Sequence, residues 1–197
     1  PPIILASQSP QRKNIFATLG IAFTTEPADI DEQAITAPTQ SERAQKIAVA
    51  KAEAVAAVHK TDFPAPVIMA GDTYVIDPKT DKPYEKPQDL DEARKMLREL
   101  SGKTLVEYTG VCFIDLARDK KISDTIETEF TFRQLSDQEI ERYGTTEPVL
   151  TWSASFCPAY DTGAAMIASV KGSLTSFTHG FPMEFFVPLL QESGVMI

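Results

Sequence analysis

The sequence is poor in the residues that build metal clusters and nucleophilic triads. It has two histidines, His59 and His179, and two cysteines, Cys112 and Cys157, all far apart. A His/Cys metal centre is not expected from that spacing, and a Ser-His-Asp triad is disfavoured, although triad members need not be neighbours in sequence. The cysteines read as reduced thiols in or near a core, which suits a reducing compartment such as the cytoplasm. Positive charge is also short. The 19 Lys and Arg against 28 Asp and Glu leave a net charge of −9. A face that grips a nucleic-acid backbone is normally basic, so DNA or RNA is not expected as the main partner, whereas a small phosphorylated ligand needs only a few local cations. No apolar run approaches the ~20 residues of a membrane helix. The start, Pro1-Pro2-Ile3-Ile4-Leu5, has no basic stretch ahead of it and does not read as a signal peptide. There is no Gly-x-x-x-x-Gly-Lys-Ser/Thr loop and no Gly-x-Gly-x-x-Gly fingerprint, so the common phosphate and dinucleotide cradles are absent.

What is present is a globular composition, 43% hydrophobic and 24% charged, without repeats or an evident linker. One domain over residues 1–197 is expected. Residues 3–6 form a short apolar run, read as a buried strand. A helix follows with Ile15, Phe16 and Leu19 on one face and Gly20 as its stop, and residues 21–25 read as a strand. Pro38-Thr39-Gln40-Ser41 opens a long helix to about His59. Residues 67–70 read as a buried strand ending at Gly71-Asp72, and 77–87 as a loop or short hairpin. Asp89 or Asp91 caps a helix with the stripe Ala93, Met96, Leu97 and Leu100, stopped by Gly102. Residues 104–116 and 122–132 are β-rich, joined by a turn at 118–121. Ser136 caps a further helix, 164–170 reads as a strand, and 183–192 as a helix despite Pro188. Strands alternating with helices define an α/β class.

Five segments carry chemistry, and each also has a plain structural reading. In Leu5-Ala6-Ser7-Gln8-Ser9-Pro10-Gln11-Arg12-Lys13 a strand ends, Ser9 suits an N-cap and Pro10 the first helical position. The free N–H groups and the positive end of that helix make an anion site, to which Ser7 and Ser9 add hydroxyls and Arg12 a charge. Otherwise it is an ordinary capped helix. Lys51 lies four residues from both Ile47 and Val55, on the apolar stripe of its helix. It either snorkels or reaches an anion at a cleft. Gly71-Asp72-Thr73 puts a carboxylate at the end of a buried strand, as a turn-former or as a metal ligand or base. Lys86-Pro87 means little alone, and Lys82-Pro83 is a decoy of the same form. Asp29, Asp31 and Glu32 make an acidic group that is either a solvated turn or a Mg²⁺ site, since Mg²⁺ needs only one or two protein carboxylates. Trp152 and Tyr160 could stack on a base or simply pack.

Taken in order, these segments resemble the Maf family of nucleotide pyrophosphatases. Residues 5–13 look like its Ser-x-Ser-x-Arg-Arg signature, Ala28-Asp29-Ile30-Asp31-Glu32 like its acidic segment, and Ala50-Lys51-Ala52 like its helix lysine. Ala70-Gly71-Asp72-Thr73 resembles Ala-Asp-Thr, and Lys86-Pro87 resembles Gly-Lys-Pro. Leu100-Ser101-Gly102, Tyr108-Thr109-Gly110 and Gly180-Phe181-Pro182 continue the match.

The resemblance implies an elongated, two-lobed α/β mixed sheet flanked by helices, with a central cleft. It implies attack of water at the α-phosphate of a nucleoside triphosphate, with pyrophosphate leaving. Asp72, Lys51 and Lys86 would be catalytic. Ser7, Ser9, Arg12, Thr73 and Tyr160 would hold substrate. Asp72 and Asp31 would hold Mg²⁺ or Mn²⁺, and a homodimer is suggested. Lys51→Met should weaken triphosphate binding and, by removing a charge from an apolar stripe, raise stability. Three positions depart from the pattern. Gln11 stands where many members have the first Arg, Asp31 where Glu is common, and Tyr160 where the pyrimidine-selective branch has Gln. The base, pyrimidine or 7-methylguanine, stays open, as does the alternative of a non-catalytic nucleotide-binding regulator linked to cell division.

Overall fold

The computed structural model describes residues 1–196. It is an α/β fold built on a mixed sheet of seven strands. In chain order the elements are β1 (Ile3–Leu5), α1 (Pro10–Thr18), β2 (Thr24–Thr25), α2 (Gln40–Val58), β3 (Val67–Asp77), β4 (Lys82–Pro83) and α3 (Leu90–Leu100). Then come β5 (Thr104–Asp115), β6 (Lys120–Phe132), α4 (Asp137–Thr146), α5 (Asp161–Ala164), β7 (Ile167–Lys171), α6 (Leu174–His179) and α7 (Met183–Glu192). The strands lie in the order β2-β1-β3-β5-β6-β7, with β4 pairing β3 near its end. The β1 pairs are parallel, and every pair from β3 onward is antiparallel.

Local chemistry fixes the helix starts. Ser9 accepts from the Arg12 N–H ahead of Pro10, Thr39 caps α2, and Asp89 caps α3. Ser136 and Glu139 form a reciprocal capping box on α4. Gly180 ends α6 in the left-handed region at φ 59°, where a side chain would be strained. The six-residue helix α6 has no apolar period long enough to read from sequence, and it was not expected.

The strand expected over 67–70 runs on to Asp77. Val75 and Ile76 are buried, and β3 pairs with β5 from Val67 to Ile76, so the ladder carries the chain through Gly71-Asp72-Thr73. Asp72 therefore lies within a strand, not beyond its end. What ends is the neighbour: β1 pairs with β3 only at Val67, Ile68 and Met69, and β4 joins that edge only at Ile76 and Asp77, so the edge of β3 is unpaired between them. Asp72, Thr73 and Tyr74 are half-buried there, between buried stretches on either side.

Alternation assigns the faces. Val67, Met69, Val111 and Phe113 pack with Ile15, Phe16, Phe181 and Phe186 beneath α1 and α7. Ile68, Ala70 and Cys112 pack with Ala48, Ala52 and Val55 of α2 on the other face. A third cluster joins Leu97, Leu100, Phe130, Phe132, Phe156 and Phe177. Thr73 continues the first face and Asp72 the second.

Candidate active site

A cleft of about 430 Å³ opens at this exposed edge of β3. Its lining includes Ser9, Gln11 and Arg12 from the start of α1, and Asp72 and Thr73 from β3. Glu32 and Lys86 contribute from loops, and Trp152, Phe156 and Phe177 form an apolar wall. A separate cavity of about 500 Å³ near Tyr84, Lys95 and Glu99 holds none of the candidates except Lys86, an exposed rim residue shared by both. Lys82 lines that second cavity and not the cleft.

On the α2 face, Lys51 Nζ lies 2.9 Å from Asp72 Oδ1 and 3.0 Å from Glu32 Oε1. The lysine on the apolar stripe is thus held between two carboxylates. Burial pushes the Asp72 carboxyl up from its ordinary value, while Lys51 and then Arg12 pull it back. Arg43 of α2 donates to the Ile35 carbonyl (2.9 Å) and the Glu32 carbonyl (3.3 Å), pinning the loop that presents Glu32.

The acidic partner is Glu32, not Asp31. Asp31 Oδ1 accepts from the N–H groups of Gln33 (3.0 Å) and Ala34 (3.3 Å), so its carboxylate is spent on its own exposed turn. Asp and Asn favour that local bond because their side chains are short, whereas Glu32 is one methylene longer. Asp29 is exposed. Tyr160 is also displaced from its expected role. It does not line the cleft but stacks on Trp152, which does, at 5.6 Å between centroids.

The paired carboxylates also reverse the expected stability effect at Lys51. Lys51→Met would strip Asp72, whose side chain is only 13% exposed, of its closest cation. A loss of about 1–3 kcal/mol is expected in chemical denaturation, together with weaker triphosphate binding. A gain in stability would show that the pair is not formed in solution.

On the other face, Arg12 is buried. Its Nε donates to the Gly180 carbonyl (3.0 Å), Nη1 to the Gly71 carbonyl (2.7 Å) and Ser7 Oγ (3.3 Å), and Nη2 to Thr73 Oγ1 (3.1 Å). All but one of the guanidinium N–H donors are thereby committed to neutral acceptors, so Arg12 offers the cleft its charge and one remaining donor. Burial lowers its pKa, opposed first by Asp72 and then by Glu107 and Glu32. Ser7 and Thr73 therefore anchor Arg12, while Ser9 caps α1 (3.5 Å to the Arg12 N–H) and lines the cleft itself. Gln11 bridges toward Cys157, Nε2 to Sγ 3.7 Å.

Glu107 was missed from sequence. It lies on β5 in the inward row Leu105, Glu107, Thr109, Val111 and Phe113, every member buried, and it lines the cleft. An acid in phase with such a row was the signal available. Burial raises its pKa to about 8, against hydrogen bonds from Ser176 (3.0 Å) and Thr109 (3.3 Å) and the charge of Arg12.

An α/β fold that converges a helix N-terminus, a buried arginine and a lysine bridging two carboxylates defines a class of protein suited to a phosphorylated ligand. Residues 2–193 match the family described as Maf-like protein, and the chain belongs to that family. It is 34% identical over 197 residues to a dTTP/UTP pyrophosphatase of Anaeromyxobacter dehalogenans, covering 98% of this chain and 95% of the relative. It is 30% identical over 196 residues to a 7-methyl-GTP pyrophosphatase of Pseudomonas putida, covering 100% and 98%. It is 34% identical over 196 residues to a nucleoside triphosphate pyrophosphatase of a Synechococcus strain, covering 98% and 95%.

Proposed function

We propose that this chain hydrolyses nucleoside triphosphates to the monophosphate and pyrophosphate, acting on a pyrimidine nucleotide (dTTP or UTP) or on a modified one such as 7-methyl-GTP. The observation that carries the reading is a cleft lined by Asp72, Glu32, Arg12 and the start of α1, with Lys51 held between the two carboxylates behind that lining. The names of the full-length relatives support the same reaction. Phosphoryl chemistry depends mainly on positioning and charge stabilisation, and this cleft supplies both. The triphosphate lies against Ser9, Arg12 and Lys86, and Lys51 acts from behind the lining, holding the Asp72 and Glu32 carboxylates. Asp72 acts on the attacking water, as the base that takes its proton or as the ligand that fixes a metal. Departure of pyrophosphate is eased by the cations around it.

A Mg²⁺ or Mn²⁺ ion belongs to this reading. Among the described residues no group of three or more His, Cys, Asp and Glu could hold a metal by itself. Asp72 and Glu32 nevertheless converge on the same Lys51 ammonium, and two carboxylates with substrate phosphates and water suffice for Mg²⁺. Such an ion would neutralise charge on the phosphates. The action is placed in the cytoplasm, by a homodimer that light scattering can check. No helix among the described residues is long and apolar enough to cross a membrane.

The test is a pyrophosphate-release screen of dTTP, UTP, CTP and 7-methyl-GTP with Mg²⁺, with Mn²⁺ and with chelator. Monophosphate and pyrophosphate in equal amounts, lost with chelator, is the expected result. A folded protein that is stabilised by nucleotide yet yields no product would be a non-catalytic binder.

A further inference from the structure

A chain of hydroxyls runs from Arg12 to Glu107, and its direction can be worked out atom by atom. Arg12 Nη2 can only donate, so Thr73 Oγ1 accepts at 3.1 Å. The single Thr73 hydroxyl proton is then free for Thr109 Oγ1, 3.1 Å away. Thr109 in turn donates to Glu107 Oε1 at 3.3 Å. Ser176 Oγ donates to the same oxygen at 3.0 Å. Oε1 is therefore a double acceptor, the role of a carbonyl oxygen. Any proton on this carboxyl belongs on Oε2, the oxygen left for the cleft that Glu107 lines. Both hydrogen-bond partners of the carboxyl are hydroxyls, and burial outweighs the charge of Arg12 in favouring its neutral form.

The surroundings indicate which part of a nucleotide would meet this O–H. Lys51, Asp72 and Glu32 belong to the α2 face of β3, whereas Glu107 belongs to the other, where the one cation linked to it, Arg12, is two hydroxyls away and has all but one donor committed. It bonds Ser176, the neighbour of Phe177, and Phe177 and Phe156 line the same cleft with their rings 6.2 Å apart. An aromatic wall with one aligned O–H donor is a site for a base, not for a phosphate.

We propose that Glu107 is a specificity-determining residue, its Oε2–H donating to a carbonyl oxygen of the nucleobase and so favouring keto-bearing bases over adenine. The inference rests on the nucleotide reading above and adds the atom that reads the base. Adenine has no carbonyl oxygen to accept this bond, and a buried donor left unpaired discriminates strongly.

Inosine and adenosine triphosphates differ at the position where inosine carries the carbonyl, so their kcat/KM ratio is the readout. The wild type is expected to favour ITP by about tenfold, the worth of one good buried hydrogen bond. Glu107→Leu should bring the ratio close to unity. Glu107→Gln, which keeps an acceptor and a donor in the same places, should preserve it. A wild type without preference, or E107L with the wild-type ratio, overturns the proposal. A change in the UTP-to-dUTP ratio in place of the ITP-to-ATP ratio would assign the O–H to the sugar and also overturn it.

Should E107L not fold, the pH dependence decides. The ITP preference of the wild type should decline as pH rises past about 8, where Glu107 ionises, while that of E107Q should persist. Arg12, Glu32, Asp72, Tyr74, Glu85, Lys86, Cys157 and His179 share the cleft, and Thr109, Thr128 and Ser176 flank Glu107 from β5, β6 and α6. A pH effect that arises elsewhere in the cleft, or in the base itself, moves both proteins alike, so identical pH profiles would count against the proposal. If the wild type releases no pyrophosphate, the proposed activity fails on its own. Thermal stabilisation by ITP and ATP then reads the same preference in the wild type and both variants.

Discussion

Asp72→Asn is expected to lower kcat by about 10²–10⁴-fold, the usual contribution of a positioned acid–base group. The fold should be unaffected. Asp72 lies at an open strand edge, where burial already disfavours its ionised form, so an amide removes an electrostatic cost. It also removes the partner of Lys51, but Lys51 keeps Glu32 at 3.0 Å. The two effects oppose each other, and calorimetry should show a change within about 1 kcal/mol. Single-turnover kinetics on the best substrate measures the chemistry directly. A rate near that of the wild type would remove Asp72 from the reaction and move the role to Glu32.

Gly110→Ala should damage both stability and turnover, by a different route. Gly110 is directly opposite Asp72 in the β3–β5 ladder. A Cβ there would meet the backbone of α2, 2.1 Å from the Ala44 carbonyl carbon and 2.4 Å from the Gln45 nitrogen. Neither contact can be relieved by rotating a side chain, so α2 as a whole must move off the sheet. A loss of about 3 kcal/mol or more is expected in urea denaturation, at the upper end of overpacking costs. The same helix carries Lys51, and a shift of even 1 Å stretches its 2.9 Å contact with Asp72 beyond hydrogen-bond range. Turnover should therefore fall even at temperatures where the variant is fully folded. Wild-type behaviour in both assays would mean that α2 approaches β5 less closely than described.

The α/β class, the long helices and the cleft-side residues Ser9, Arg12, Asp72 and Lys86 were legible in the sequence, because caps, apolar periods and paired motifs are local signals. Where sequence reasoning failed, the deciding partner lay far along the chain. The extent of β3 past Ala70 depends on β5, some forty residues later, which no period within β3 reveals. The choice between Asp31 and Glu32 is made by Lys51 and by the Arg43 anchor on α2. Arg12 read as a free phosphate ligand because its acceptors, Gly71, Thr73 and Gly180, converge only after folding. Glu107 looked like one polar residue in a strand, and its meaning rests on Ser176 in a helix too short to recognise.

Asp72 and Thr73 are consecutive, yet one serves the Lys51 side of the sheet and the other the Arg12 side. The division of labour therefore depends on parity. Deleting one residue in β3 ahead of Asp72 would put Thr73 opposite the lysine, inserting one would put Gly71 there, and either would turn the carboxylate to the face of the buried arginine. The ladder opposes such a slip, with β3 matched to β5 from Val67 to Ile76 and β5 to β6 from Thr104 to Asp115. Length changes in this lineage should therefore collect in the turns at 78–81 and 116–119 and avoid the strands, a pattern open to direct test by scanning single-residue insertions through β3 and its flanking turns.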